Sequence, residues 1–175
     1  MSTWQGEIVE TSSVNLVAQS YHHDSLPPFG SLLCCTVTSD LTVFAVVHDV
    51  RTTGIDPGAR PVVRGTAGMR DQAIYDANPD LGQVLRTDVS ALLVGYQQRN
   101  DILQVVPPSP PPLHWSAYEC DADICREFCS STGYLRTLVE SPSSAVDELI
   151  GAHVQIGRAR LNSSHIPLSR MPSSA

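Results

Sequence analysis

Residues 107–112 read Pro-Pro-Ser-Pro-Pro-Pro, five prolines in six positions. Each proline fixes its own φ and lacks a backbone N–H. The run is therefore excluded from helix interiors and central strands, and it favours an extended polyproline conformation. It separates a front rich in β-branched residues from a back whose apolar residues recur at helical spacing. The expected organisation is a barrel-forming unit over 4–106, a proline-rich linker at 107–113 and a helical region at 114–161. A Ser- and Pro-rich tail at 162–175 is expected to be partly disordered.

In the front, residues 5–11 and 14–20 are short and β-branched, and a Ser-rich turn joins them. Both read as strands. A loop carrying Pro27, Pro28 and Gly30 precedes a third strand at 31–37. Residues 42–50 (Thr-Val-Phe-Ala-Val-Val-His-Asp-Val) form the most apolar segment, and its near-continuous run predicts a strand covered on both faces. Gly54, Pro57 and Gly58 mark a turn. Residues 61–64 fit a short strand, 68–77 a short helix ending near Asn78-Pro79, and 89–96 and 102–106 two further strands. About six short strands with turn signals predict a small antiparallel β-barrel, whose closure removes exposed edges. With helices behind it, the class is α+β.

In the back, Asp121 or Asp123 is placed to cap a helix running to about Ser130, and 134–140 makes a second short segment. A third helix is expected from Pro142-Ser143-Ser144 to about Leu161. Along it Val146, Leu149, Ile150, His153, Val154 and Gly157 follow 3–4 spacing, with acidic residues at its start and arginines at its end.

All eleven basic residues are arginine, and the formal net charge is -7. The chain has no lysine, which excludes a phosphate loop of the Walker type and a Schiff-base nucleophile. An acidic surface repels phosphate backbones, so direct nucleic-acid binding is not expected. No apolar run reaches the roughly 18 residues of a membrane span. The N-terminal residues lack a basic stretch followed by an apolar one, and five cysteines is an odd number, so free thiols in the cytoplasm are expected.

Several residues are candidates for chemistry. Cys120, Cys125 and Cys129, with His114, offer four ligands of the kind zinc uses. Their C-x4-C-x3-C spacing departs from the paired C-x2-C of structural zinc sites, and two cysteines one turn apart equally describe a packed helix face. Cys34 and Cys35 are adjacent on a strand and must face opposite sides, one of them the barrel interior. His22, His23 and Asp24 lie in a loop, where they have the groups to bind a metal or act as a base, although neighbouring loop histidines are more often merely solvated. His48-Asp49, near Arg51, is a pair able to orient a general base, but no serine or cysteine nucleophile accompanies it by spacing. Arg60, Arg64 and Arg70, followed by Asp71 and Asp76, form a loose basic stretch suited to an acidic partner or to intrachain ion pairs. No residue is assigned as catalytic, cofactor-binding or metal-binding.

Four segments carry a family resemblance over roughly residues 4–106. They are Gly6-Glu7-Ile8-Val9-Glu10, Pro27-Pro28-Phe29-Gly30-Ser31-Leu32-Leu33, Val46-Val47-His48-Asp49-Val50 and the stretch from Leu85-Arg86-Thr87-Asp88 through Gly95-Tyr96. The chain resembles the HAS barrel, the unit shared by HerA-type DNA translocases and the N-terminal domains of ATP synthase catalytic-head subunits. With the proline segment, Leu113-His114 and the helices behind it, it looks like stand-alone bacterial members, cyanobacterial in particular. In the larger relatives the barrel edges a hexameric ATPase ring and docks partners such as a nuclease. The resemblance implies assembly or docking, and without the P-loop domain it implies no ATP hydrolysis.

The expected function is therefore a non-catalytic assembly domain that self-associates or docks on a separate ring ATPase or nuclease. A small-ligand- or metal-binding barrel is the alternative, and a hydrolase using His48 or His22 is a distant third.

Overall fold

The computed structural model describes residues 4–22, 25–56, 58, 60–141 and 145–163, the last three of these as backbone only. Seven strands form one antiparallel sheet: β1 (Gln5–Thr11), β2 (Asn15–Ser20), β3 (Leu32–Thr38), β4 (Leu41–Gly54), β5 (Leu85–Gln98), β6 (Asp101–Leu103) and β7 (Ser116–Glu119). Strand β2 pairs with β5 as well as β1, which closes β1, β2, β5, β4, β3 and β7 into a six-stranded barrel. β6 pairs with β5 alone and extends the sheet outside the ring.

The barrel does not end at the proline run, contrary to the expected boundary at 106. Its sixth stave is β7, beyond the prolines in the region expected to be helical. Tyr118 and Ala117 face Gln5 and Gly6 on one side, and Tyr118 and Glu119 face Cys34 and Leu33 on the other. The ladder to β1 continues upstream, where the His114 and Trp115 backbone groups pair with Ile8. Pro107 and Pro111 are buried, so the extended run is a packed return path to that slot.

The apolar strands are explained by two cores. Trp4, Ile8, Leu16, Leu33, Cys35, Val43, Ala45, Val47, Val89, Ala91, Leu93 and Ala117 fill the barrel interior. The alternate residues Leu32, Phe44, Val46, Leu92 and Val94 point outward beneath three helices: α3 (Ala122–Phe128), α4 (Leu135–Val139) and α5 (Val146–Ser163). Strand β4 is thus covered on both faces, as its unbroken apolar run predicts. Cys35 faces inward and Cys34 outward, as alternation requires.

Residues 55–84 join β4 to β5 at the barrel rim. They hold two short helices, α1 (Gln72–Ala77) and α2 (Leu81–Val84). The helix expected over 68–77 is confined to α1, and α2 has no sequence signal long enough to announce it. Residues 61–64, expected as a strand, pair with no strand among the described residues. The expected start of α5 at 142–144 lies outside the described residues; of the tail expected at 162–175, Asn162 and Ser163 are the last residues of α5 and the rest lies outside the described residues. Among the described residues, no helix is long and apolar enough to cross a membrane.

Candidate functional site

The chemistry-bearing residues fall into two places: the seam between barrel and helices, and the barrel rim.

At the seam, Asp121 caps α3. Its carboxylate accepts from the N–H groups of Asp123 and Ile124 at 3.0 and 2.9 Å. This fixes the face on which Cys125 and Phe128 turn to the barrel. The Phe128 ring sits 4.8 Å from that of Phe44 and 5.0 Å from that of Tyr134. Helix α5 adds Leu149 and His153 to the same layer. His153 is buried and bonded at both ring nitrogens. Nδ1 lies 2.8 Å from the Gly30 carbonyl oxygen, which only accepts, so Nδ1 carries the proton. Nε2 then accepts from the Tyr134 hydroxyl at 2.8 Å. Cys129 Sγ lies 3.9 Å from Nε2 and 3.6 Å from the Tyr134 oxygen. Burial holds His153 below its ordinary pKa and pushes the Cys129 and Tyr134 protons toward retention. With its Nε2 lone pair already occupied by the tyrosine proton, His153 is not placed to deprotonate Cys129. The group is a satisfied polar cluster that ties α5 to the turn before β3.

The other thiols gather nearby. The Cys125 thiol donates to the Cys120 carbonyl at 3.8 Å, and the proximity of the Cys120 thiol lowers the pKa of Cys34 and Cys125 while its own is raised. Burial pushes Cys35, inside the barrel, up to about 12. Arg160 of α5 donates to the Cys120 carbonyl and to the Glu119 carboxylate, which also accepts from Ser31 Oγ at 2.9 Å. His114 is not part of this cluster, contrary to the four-ligand expectation. It sits on the exposed side of β1, its Nδ1 2.6 Å from Glu7 Oε1, and that bond holds Glu7 below the usual carboxylate range. The histidine that meets a cysteine is His153, whose place on the buried face of its helix is readable but whose partners are not. Among the described residues, no group of three or more His, Cys, Asp or Glu side chains is arranged to hold a metal ion.

His48 occupies a β-bulge: Val47 pairs with Ala91 and Asp49 with Ser90, leaving His48 between them. It is half-buried, and burial lowers its pKa against the opposing charge of Asp49. With Glu10, Ser12, Asn15 and Ser90 it lines an open hollow of about 300 Å³. Asp49 itself turns toward Arg51 at 3.6 Å. His22 is exposed, and His23 and Asp24 lie outside the described residues.

At the rim, residues 55–84 enclose a cavity of about 510 Å³ with the last turn of the β4–β5 hairpin. Ile55, Pro61, Val62, Leu81, Val84 and Leu85 supply its apolar lining, and Asp56, Arg60 and Arg64 its charge. Val62 is 73% exposed and Val63 93% exposed. Arg64 pairs with Asp80 at 3.1 Å, not with the Asp71 and Asp76 that follow it more closely.

No protein-family model matches the chain, and no curated protein matches it.

Proposed function

We propose that this chain is a non-catalytic docking domain, in which the barrel and its helical layer hold the rim segment 55–84 toward a protein partner. One observation carries the reading. Apolar side chains at Ile55, Val62 and Val84 stand exposed around a cavity at the end of the β4–β5 ladder, and the neighbouring Val63 is exposed beside them. Clustered apolar exposure of this kind, rimmed by charge, is typical of interaction surfaces. The barrel interior, by contrast, is filled with side chains, and the buried histidine is satisfied by neutral partners.

A closed six-stranded antiparallel barrel is compatible with the HAS-barrel resemblance. That resemblance supports the finer proposal that the partner is a HerA-type ring ATPase or a nuclease, supplied in trans, or a further copy of this chain. A small-ligand site is the second reading, because the rim cavity falls within the volume range of small-molecule pockets.

The test is photocrosslinking in the host cell with a benzophenone side chain at position 63, and at the exposed position 139 on α4 as control. The docking reading expects one discrete protein adduct from position 63 and none from 139. No adduct at 63, together with a monomeric mass by sedimentation, would overturn it.

A further inference from the structure

We infer that residues 60–64 receive an extended, acidic segment of the partner protein as an added β-strand; this rests on the docking reading above and names its mode and chemistry. Three independent observations converge here.

The first is an unmet strand. Arg-Pro-Val-Val-Arg has the composition of a strand, with proline at its start and two β-branched residues after it. The chain runs through these residues without a turn or bend, yet among the described residues they join no ladder. Among the described residues, no backbone hydrogen bond involves Val62, Val63 or Arg64. An extended segment with free N–H and C=O groups is a template for strand pairing.

The second is the alternation of faces. Arg60, Pro61, Val62 and Arg64 line the cavity, while Val63 stands away from it, almost wholly exposed. Arg60, Val62 and Arg64 stand at i, i+2 and i+4, which share one side of an extended strand, and a paired strand would lay its own matching residues along that same side.

The third is charge. An antiparallel pair of two copies centred on Val62 sets Arg60 against Arg64 of the other copy, twice, and directly opposed like charges destabilise a ladder. A second copy is thereby disfavoured, and a strand with carboxylates at both flanking positions is favoured. Arg60 has no ion pair among the described residues. Arg64 bonds Asp80 from an exposed position and retains further donors for a second carboxylate. The complementary segment is acidic–x–apolar–x–acidic.

The test uses the whole chain and fluorescein-labelled peptides, read by anisotropy. The first peptide is Ser-Glu-Thr-Val-Thr-Glu-Ser, the second replaces both Glu by Lys, and the third methylates the central valine nitrogen of the first. Saturable binding of the Glu peptide is expected, with the Lys peptide about tenfold weaker or worse and the methylated peptide weakened as well. On the Arg60→Glu/Arg64→Glu protein the preference should reverse. Because both side chains are on the surface, thermal melting is expected to show this variant folded. No saturation of the Glu peptide by about 1 mM, equal binding of both charge forms, or no reversal in the variant overturns the proposal. Indifference to methylation overturns the strand-addition mode. A position-63 crosslink that persists when the peptides fail would leave docking in place and remove this inference alone.

Discussion

The carbonyl of Gly30 is one point at which the C-terminal helix touches the N-terminal half of the chain. Gly30 has φ 87°, and a Cβ there would meet the His153 backbone nitrogen at 2.7 Å. Backbone conformation and close approach both require glycine, so Gly30→Ala should cost about 2–4 kcal/mol in urea unfolding. His153, which bonds that carbonyl, makes stability depend on pH. Its folded pKa lies below its unfolded value, because burial opposes the charged form. The unfolded chain therefore binds the proton first as pH falls. The contribution of neutral His153 is complete above about pH 6.5 and is lost as pH drops from there through the depressed folded value. His48, also lowered by burial, acts in the same direction. Between pH 7 and pH 5 the urea midpoint of the wild type should fall, and that of His153→Gln should fall less. An equal slope in both proteins would remove His153 as a source. The 3–4 spacing of Leu149, Ile150 and His153 made the buried face legible. The bonds were not legible, because Gly30 lies 123 positions and Tyr134 19 positions away in sequence.

Among the elements, β1 and β4 carry their own signal and lie where it places them, whereas β7 is defined by its neighbours and has none. Strand β1 occupies the expected residues, and β4 shows the two-sided burial that an unbroken apolar run implies. Strand β7 has four residues, follows a proline run that points to a boundary, and alternates only Ala117 against Ser116 and Tyr118. Its existence depends on the slot between β1 and β3, which no local pattern describes. The barrel implied by residues 4–106 therefore lacks a stave. A chain ending at 106 exposes the facing edges of β1 and β3 and loses Ala117 from the interior. It should give no cooperative urea transition and poor amide dispersion in NMR, whereas residues 4–163 should give both. Cooperative folding of the 106-residue fragment would show that β7 is dispensable.

For the whole molecule, the question is whether barrel and helices are two units or one. The proline run argues for two. The cores argue for one, because β3, β4 and β5 contribute alternate residues to both: Cys35, Val43, Val47 and Leu93 to the interior, and Leu32, Phe44, Val46 and Val94 to the helical layer. Removing the helices would leave those outward residues bare on the barrel wall, and the half-buried Glu119–Arg160 contact binds α5 directly to β7. Two probes can separate the alternatives. Trp4 is buried in the barrel, its Nε1 donating to Ser20 Oγ at 3.1 Å, while Trp115 is exposed and can be silenced as Trp115→Phe. In that background, Leu138→Ala opens a cavity in the helical layer, away from the barrel interior, and should cost about 2–5 kcal/mol. If the shared strands couple the two cores, Trp4 emission and far-UV helical ellipticity will shift to lower urea together and remain superimposed. If the helical signal moves while the Trp4 transition stays in place, the barrel stands independently and the helices are an appendage. The sharing of β4 between both cores predicts the first result.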